Sequence, residues 1–155
     1  MAALLTGLCF PAWAQFRVEV SGVGLTQLPI ALVPFRGEDA SPQKISAIVR
    51  ADLERSGQFR AVDAAGQAMD ETTRPDMSVW RQRAADALAG GSVTRLADGR
   101  WDVRFRLWDV VRGQDLGGLG YVVPQADLRL AAHKIADYIY EKLTGEKGVF
   151  STRLA

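Results

Sequence analysis

The sequence predicts an α/β fold, α+β-like in the order of its elements: a mixed β-sheet with an N-terminal β-α-β unit, an antiparallel meander and helices mainly on one face. Three observations predict it. Pro29-Ile30-Ala31-Leu32-Val33-Pro34-Phe35 is a nearly unbroken apolar run, as expected of a strand buried on both faces. Behind it, Ile45, Ile48, Val49 and Leu53 recur at helical spacing. From Trp101 onward the period becomes two, with Trp101, Val103, Phe105 and Leu107 alternating with Asp102, Arg104, Arg106 and Trp108.

The first fourteen residues stand apart from that plan. Met1 to Phe10 is an apolar run too short to cross a bilayer, which takes about 20 residues. It ends in Pro11-Ala12-Trp13-Ala14, an A-x-A pattern that predicts a signal peptide cut between Ala14 and Gln15. No Lys or Arg precedes the run, so the basic part of such a signal is expected upstream. Cys9, the one cysteine, lies inside this segment, and Phe10 and Pro11 do not give it the small-residue setting of a lipid anchor. The processed chain would carry no thiol, hence no disulfide and no cysteine-based metal site. That suits an oxidising compartment such as a periplasm.

Phe16-Arg17-Val18-Glu19-Val20 alternates apolar and charged side chains, a half-buried strand pattern, and Ser21-Gly22-Val23-Gly24 behind it is flexible in composition. This strand is either an edge of its own domain or one offered to a partner. Ile30 to Val33 follows as the first strand of the body, stopped by Pro34, which cannot donate to a ladder. Ser41 is read as a helix N-cap with Pro42 at the first helical position, and Gly57 as the stop. Phe59 to Val62 then returns as a second strand, parallel to the first through a right-handed crossover.

Asp63 to Thr73 is small, polar and unpatterned, and is read as a mobile loop. Pro75 opens a short helix with Val79, Trp80 and Ala84 on one side, ending near Asp86. Ala87 to Leu96 is a strand whose Gly90-Gly91 marks a bulge or the close approach of another backbone. No Gly-rich nucleotide motif surrounds that pair, which disfavours a phosphate cradle. Asp98-Gly99 predicts a two-residue hairpin, Arg112-Gly113 the next turn, and Asp115 to Val123 the last strand of the meander. Pro124 breaks the sheet. The final helix runs from Gln125 to Leu143 on a stripe of Leu128, Ala131, Ala132, Ile135, Ile139 and Leu143, closed by Gly145. Gly148 to Arg153 reads as a further strand-like stretch.

Composition narrows function. Nineteen basic and eighteen acidic residues leave a net charge of +1, so no whole-chain field draws it to nucleic acid or an anionic membrane. Arg100, Arg104 and Arg106 with Trp108 suggest a cation–aromatic face for nucleic acid, but a solvated sheet face with one amphipathic Trp is preferred. His133 and Asp137 lie one helical turn apart on the polar side of the last helix. No serine partner accompanies them and His133 is the sole histidine, so a solvated helix face is preferred there as well. No nucleophile motif, metal-ligand cluster or phosphate loop stands out. The expected catalytic, cofactor-binding and metal sites are therefore none, and a binding role is favoured.

Several stretches carry a family resemblance. They are Pro29 to Phe35; Ile48-Val-Arg-Ala-Asp-Leu-Glu-Arg-Ser-Gly-Gln-Phe59; Trp80; Gly90 to Val93; and Ile135-Ala-Asp-Tyr-Ile-Tyr-Glu-Lys-Leu-Thr-Gly-Glu-Lys-Gly-Val-Phe150. With these the chain resembles the TolB N-terminal domain family of the Tol-Pal system of Gram-negative bacteria, over essentially all of residues 16–155. The tail Glu-Lys-Leu-Thr-Gly-x-Lys-Gly-x-Phe-x-Thr-Arg is its most specific part. The resemblance implies a non-enzymatic periplasmic protein that maintains the outer membrane and draws it inward during division. It implies that a mobile N-terminal segment binds the inner-membrane-anchored TolA, which by position maps onto Gln15, Phe16, Arg17, Val18, Glu19 and Val20. It also implies a C-terminal β-propeller that binds the lipoprotein Pal, so Pal binding is expected only where that propeller is present. The resulting division is residues 1–14 signal peptide, 15–24 mobile partner-binding segment, 25–147 α/β domain, and 148–155 the start of a linker to a propeller beyond these residues. No nucleic acid, no cofactor and no membrane insertion after signal cleavage are expected. The alternative is a periplasmic small-ligand or nucleic-acid-binding α/β domain using Arg104, Arg106 and Trp108.

Overall fold

The computed structural model describes residues 26–152. Eight regular elements follow in order: β1 Leu28–Leu32, α1 Ile45–Arg55, β2 Phe59–Val62, α2 Met77–Gln82, β3 Ala87–Arg95, β4 Trp101–Asp109, β5 Gln114–Val123 and α3 Leu128–Thr144. Short 3₁₀ turns at Glu38–Ala40 and Gln125–Asp127 precede α1 and α3. The strands form one mixed sheet in the order β2-β1-β3-β4-β5. β1 is parallel to both β2 and β3, while β3, β4 and β5 are antiparallel. This is the predicted β-α-β unit joined to the predicted meander.

β1 starts two residues earlier than expected and includes Pro29, paired with Arg60 of β2. Proline is tolerated in this central strand because the β3 ladder opens only at Ile30, paired with Ala87. Its carbonyl is still used, accepting from Asp86 N–H at 2.9 Å.

Both faces of the sheet are covered, unequally. On one, Ile30, Leu32, Phe105 and Leu107 meet the apolar stripes of α1 and α3, where Val49, Leu53, Ile135 and Ile139 are inaccessible. Each such aliphatic side chain contributes roughly 1.5–3 kcal/mol by leaving water. Phe105 is 2% exposed and meets Tyr138 edge-on, ring centres 5.2 Å apart. On the other face the short α2 lays Trp80 over Ala31, Val33, Leu88 and Trp108. Trp108 is thus a core residue, 6% exposed, and not the amphipathic surface Trp expected from the sequence.

Four local expectations are corrected. The α1 cap is not Ser41: the helix begins at Ile45, and the buried Glu38 carboxylate accepts from Ser46 N–H at 3.0 Å and from Ser46 O–H. Ser41 instead closes a local turn, accepting from Gln43 N–H. The β3–β4 connection is a three-residue turn, Ala97-Asp98-Gly99, with Gly99 left-handed and Leu96 N–H bonded to Arg100 C=O. The loop read as mobile is pinned: Ala64 and Met69 are buried, Asp70 pairs with Arg36, and Arg83 holds the carbonyls of Asp63 and Ala65. The stretch after Gly148 is a turn, Thr152 N–H to Val149 C=O, rather than a strand.

Gly91 shows why a strand interior carries adjacent glycines. A Cβ there would lie 2.0 Å from Arg104 O and 2.9 Å from the Phe35 ring. The pair serves close packing, one of the two roles its sequence suggested.

Candidate functional site

The predicted partner-binding residues Gln15 to Val20, and the predicted cleavage point at Ala14 and Gln15, lie outside the described residues. What is described is the root from which they extend. Gln27 Nε2–H donates to Gly57 C=O at 3.3 Å, and Leu28 N–H donates to Gln58 C=O at 2.9 Å. The chain therefore enters the sheet beside β2, from a fixed point.

His133 is not on a solvated face. It turns away from Asp137 and meets Asp52 of α1, Nδ1 to Oδ2, at 2.5 Å. The Asp52 side chain is 2% exposed and that of His133 12%. The other Asp52 oxygen accepts from Arg55, one turn on, at 3.2 Å. A buried carboxylate is costly unless its lone pairs are satisfied, and here two donors from two helices satisfy it. The pair bridges α1 and α3 in the layer that covers the sheet. Its sequence signal was the placement of Asp52 among Ile48, Val49 and Leu53: an acid on an apolar stripe demands a partner.

Asp137 clasps the end of the described chain. Its carboxylate accepts from Phe150 N–H at 2.6 Å, from Ser151 N–H at 3.1 Å and from Ser151 O–H at 2.5 Å. Phe150 then stacks edge-on against Tyr140, with ring centres 5.7 Å apart. Gly148 permits the approach, since a Cβ there would lie 2.6 Å from Asp137 Cα. The direction in which the chain leaves α3 is thereby fixed by three hydrogen bonds and one aromatic contact.

The suggested cation–aromatic face is neutralised. Arg104 donates to Asp102 at 3.0 Å, Arg106 to Asp115 at 2.6 Å and to Glu71 C=O, and Arg100 to Asp98 at 2.7 Å. With Trp108 buried, no ring is offered there for a base to stack on. Among the described residues no group of three metal-ligating side chains converges. No described helix is long and apolar enough to cross a membrane.

Residues 16–116 match the family model of the TolB amino-terminal domain. The chain belongs to the TolB amino-terminal domain family. Relatives include the Tol-Pal system protein TolB of Albidiferax ferrireducens, 72% identical over 99% of the chain, and that of Polaromonas sp., 70% identical over all of it. The chain spans 36% of the length of each of these relatives. The crystal structure of TolB from Acinetobacter baumannii superposes with a TM-score of 0.69 at 32% identity, covering 81% of this chain and 30% of that one.

In this TolB family domain the tail stretch gains physical content. Thr144 O–H donates to Tyr140 C=O, Gly145 closes α3 in the left-handed conformation at φ 77°, and Gly148 makes room for the Asp137 clasp. Those residues are a helix stop and an anchor.

Proposed function

We propose that the chain is the amino-terminal domain of a non-enzymatic periplasmic component of the Tol-Pal system, which binds TolA through Gln15 to Val20 and so supports outer-membrane integrity and invagination during cell division. Membership of the TolB amino-terminal domain family, with the match opening at residue 16, is the observation that carries this reading. Phe16-Arg17-Val18-Glu19-Val20 alternates apolar and charged residues, Ser21 to Gly24 is flexible in composition, and the described body is rooted at Gln27 and Leu28. Such a segment binds by adding a strand to the partner's sheet, where backbone pairing supplies affinity and alternate side chains supply specificity. Phe16, Val18 and Val20 face the partner's apolar ground, with Arg17 and Glu19 on the other side. The domain's own core supplies a rigid support, and the Asp137 clasp sets how it meets whatever follows. Pal is bound by a β-propeller beyond these residues, where one is present.

Each backbone hydrogen bond gained contributes roughly 0.5–1.5 kcal/mol net, and ordering the segment opposes it. A handful of bonds and three apolar side chains give affinity on the order of micromolar, suited to a contact made and released repeatedly. Val18→Pro removes a donor from the added strand and leaves every residue of the described body unchanged. Calorimetry with TolA should show binding lost in this variant while its melting temperature stays unchanged; full affinity in the variant would exclude strand addition through that N–H. The export step is tested by intact mass: protein recovered from the periplasm should begin at Gln15.

A further inference from the structure

A cleft of about 740 Å³ opens between the hairpin end of β3 and the 3₁₀ turn that follows β1, with Ser41, Pro42, Thr94, Arg95, Trp101 and Gln125 among its walls. Neither Asp nor Glu lines it. Arg36 lines it too, but its guanidinium is taken by Asp70 at 3.0 Å. Arg95 is exposed and forms no ion pair with any described residue. Ser41 Oγ already accepts from Gln43 N–H, so its own O–H is left to donate. Trp101 is 5% exposed, and its indole N–H has no acceptor among the described residues. The cleft thus carries positive charge from Arg95 and a free donor in the Ser41 hydroxyl, with no acidic side chain in its walls.

The backbone adds direction. On the β1 side of β3, Val33 N–H donates to Ala89 C=O, Arg36 N–H to Gly91 C=O, and Val93 N–H to Arg36 C=O. Positions 89, 91 and 93 therefore point toward β1, and by the two-residue period of a strand so does Arg95. The chain that pairs with this edge turns away at Gly37, whose φ is 83° and which packs so tightly that a Cβ would lie 2.4 Å from Val93 O. Gly37 closes the ladder there, and the N–H and C=O of Arg95 are left facing the cleft. An unpaired position at the end of a ladder is a template for one more strand.

We propose that this cleft binds an extended peptide segment bearing a carboxylate side chain. The segment pairs its backbone with Arg95 N–H and C=O, as a short continuation of the sheet beyond Arg36, while its carboxylate takes the Arg95 guanidinium and the Ser41 hydroxyl. The site is built from described residues of the folded body. It is a second protein contact, with a partner of opposite charge.

The test is titration of the ¹⁵N-labelled chain with a blocked pentapeptide alternating valine and aspartate, against the same peptide with lysine for aspartate. The acidic peptide should give saturable shifts at Thr94, Arg95 and the Trp101 indole, and should slow hydrogen exchange at the Arg95 amide. Arg95→Glu should weaken it about tenfold or more, the loss expected when a charge-assisted hydrogen bond is replaced by repulsion, and Arg95→Lys should retain most of the affinity. Equal binding of the lysine peptide, no change in Arg95→Glu, or unaltered exchange at Arg95 would each overturn the proposal. So would acetate alone reproducing the shifts at the same concentration, which would mark a site for small anions only.

Discussion

His133→Leu is the perturbation that most sharply probes how the helical layer is built. It removes the Nδ1 donor 2.5 Å from Asp52 Oδ2 and leaves a carboxylate, 2% exposed, with Arg55 as its remaining side-chain donor. Breaking a buried pair by deleting one partner costs roughly 3–5 kcal/mol, because the survivor stays desolvated. Asp52→Leu leaves the His133 ring with one unsatisfied buried group, which costs about 1–3 kcal/mol. The double variant removes both polar groups and replaces them with apolar ones of similar volume, so its cost falls well below the sum of the singles. The expected coupling is about 2 kcal/mol or more, within a total stability of roughly 5–15 kcal/mol for a domain of this size. Urea unfolding of the four proteins measures it directly, since m values near 1–3 kcal/mol per molar turn such differences into clear midpoint shifts. Additivity to within about 0.5 kcal/mol would refute the reasoning and show that the pair is solvated and energetically idle.

Further outcomes follow from the same contacts. Phe105→Ala, which empties a site 2% exposed under α3, should cost roughly 3–5 kcal/mol; an unchanged denaturation midpoint would show the sheet faces are assigned backwards. Asp137→Ala should speed amide exchange at Phe150 and Ser151 while the core amides of β3 and β4 stay protected, because the clasp holds only the exit. The hydroxyl of Thr72 and its backbone N–H, with smaller help from Thr73 and Arg36, hold the Asp70 carboxyl below the usual carboxylate range. A depressed folded-state value means this contribution to stability is present above the unfolded value and is lost as pH falls through the folded one. Thr72→Ala should accordingly raise the Asp70 midpoint in an NMR titration and diminish the acid-side loss of stability; an unmoved midpoint would exclude Thr72 as the main cause.

Much of the fold was legible because it rests on local periodicity. The alternation of Trp101 to Trp108 assigned β4 and its buried face, and the stripe from Leu128 to Ile139 assigned α3. The errors arose where a distant residue overrode a local signal. Ser41-Pro42 carries every local mark of a helix start, but Glu38 reaches the Ser46 N–H from outside the helix and moves the start to Ile45. His133 has an acid one turn away in sequence, yet its partner is Asp52, 81 positions distant. The loop after Asp63 is polar and small, and no pattern within it announces that Met69 is drawn into the second core against Gly90. Trp108 looked amphipathic because a six-residue helix, α2, left too weak a period to advertise a second buried face. The predicted partner-binding residues follow a strand pattern and a family position, and the described body offers them a root at Gln27 and Leu28.

Paired calorimetry of TolA with the intact processed chain and with the chain lacking Gln15 to Val20 tests the role of those residues most directly. Binding on the order of micromolar is expected for the first and none for the second, with the two melting temperatures nearly equal. Full-affinity binding by the shortened chain would contradict that role and place the TolA contact elsewhere on the domain.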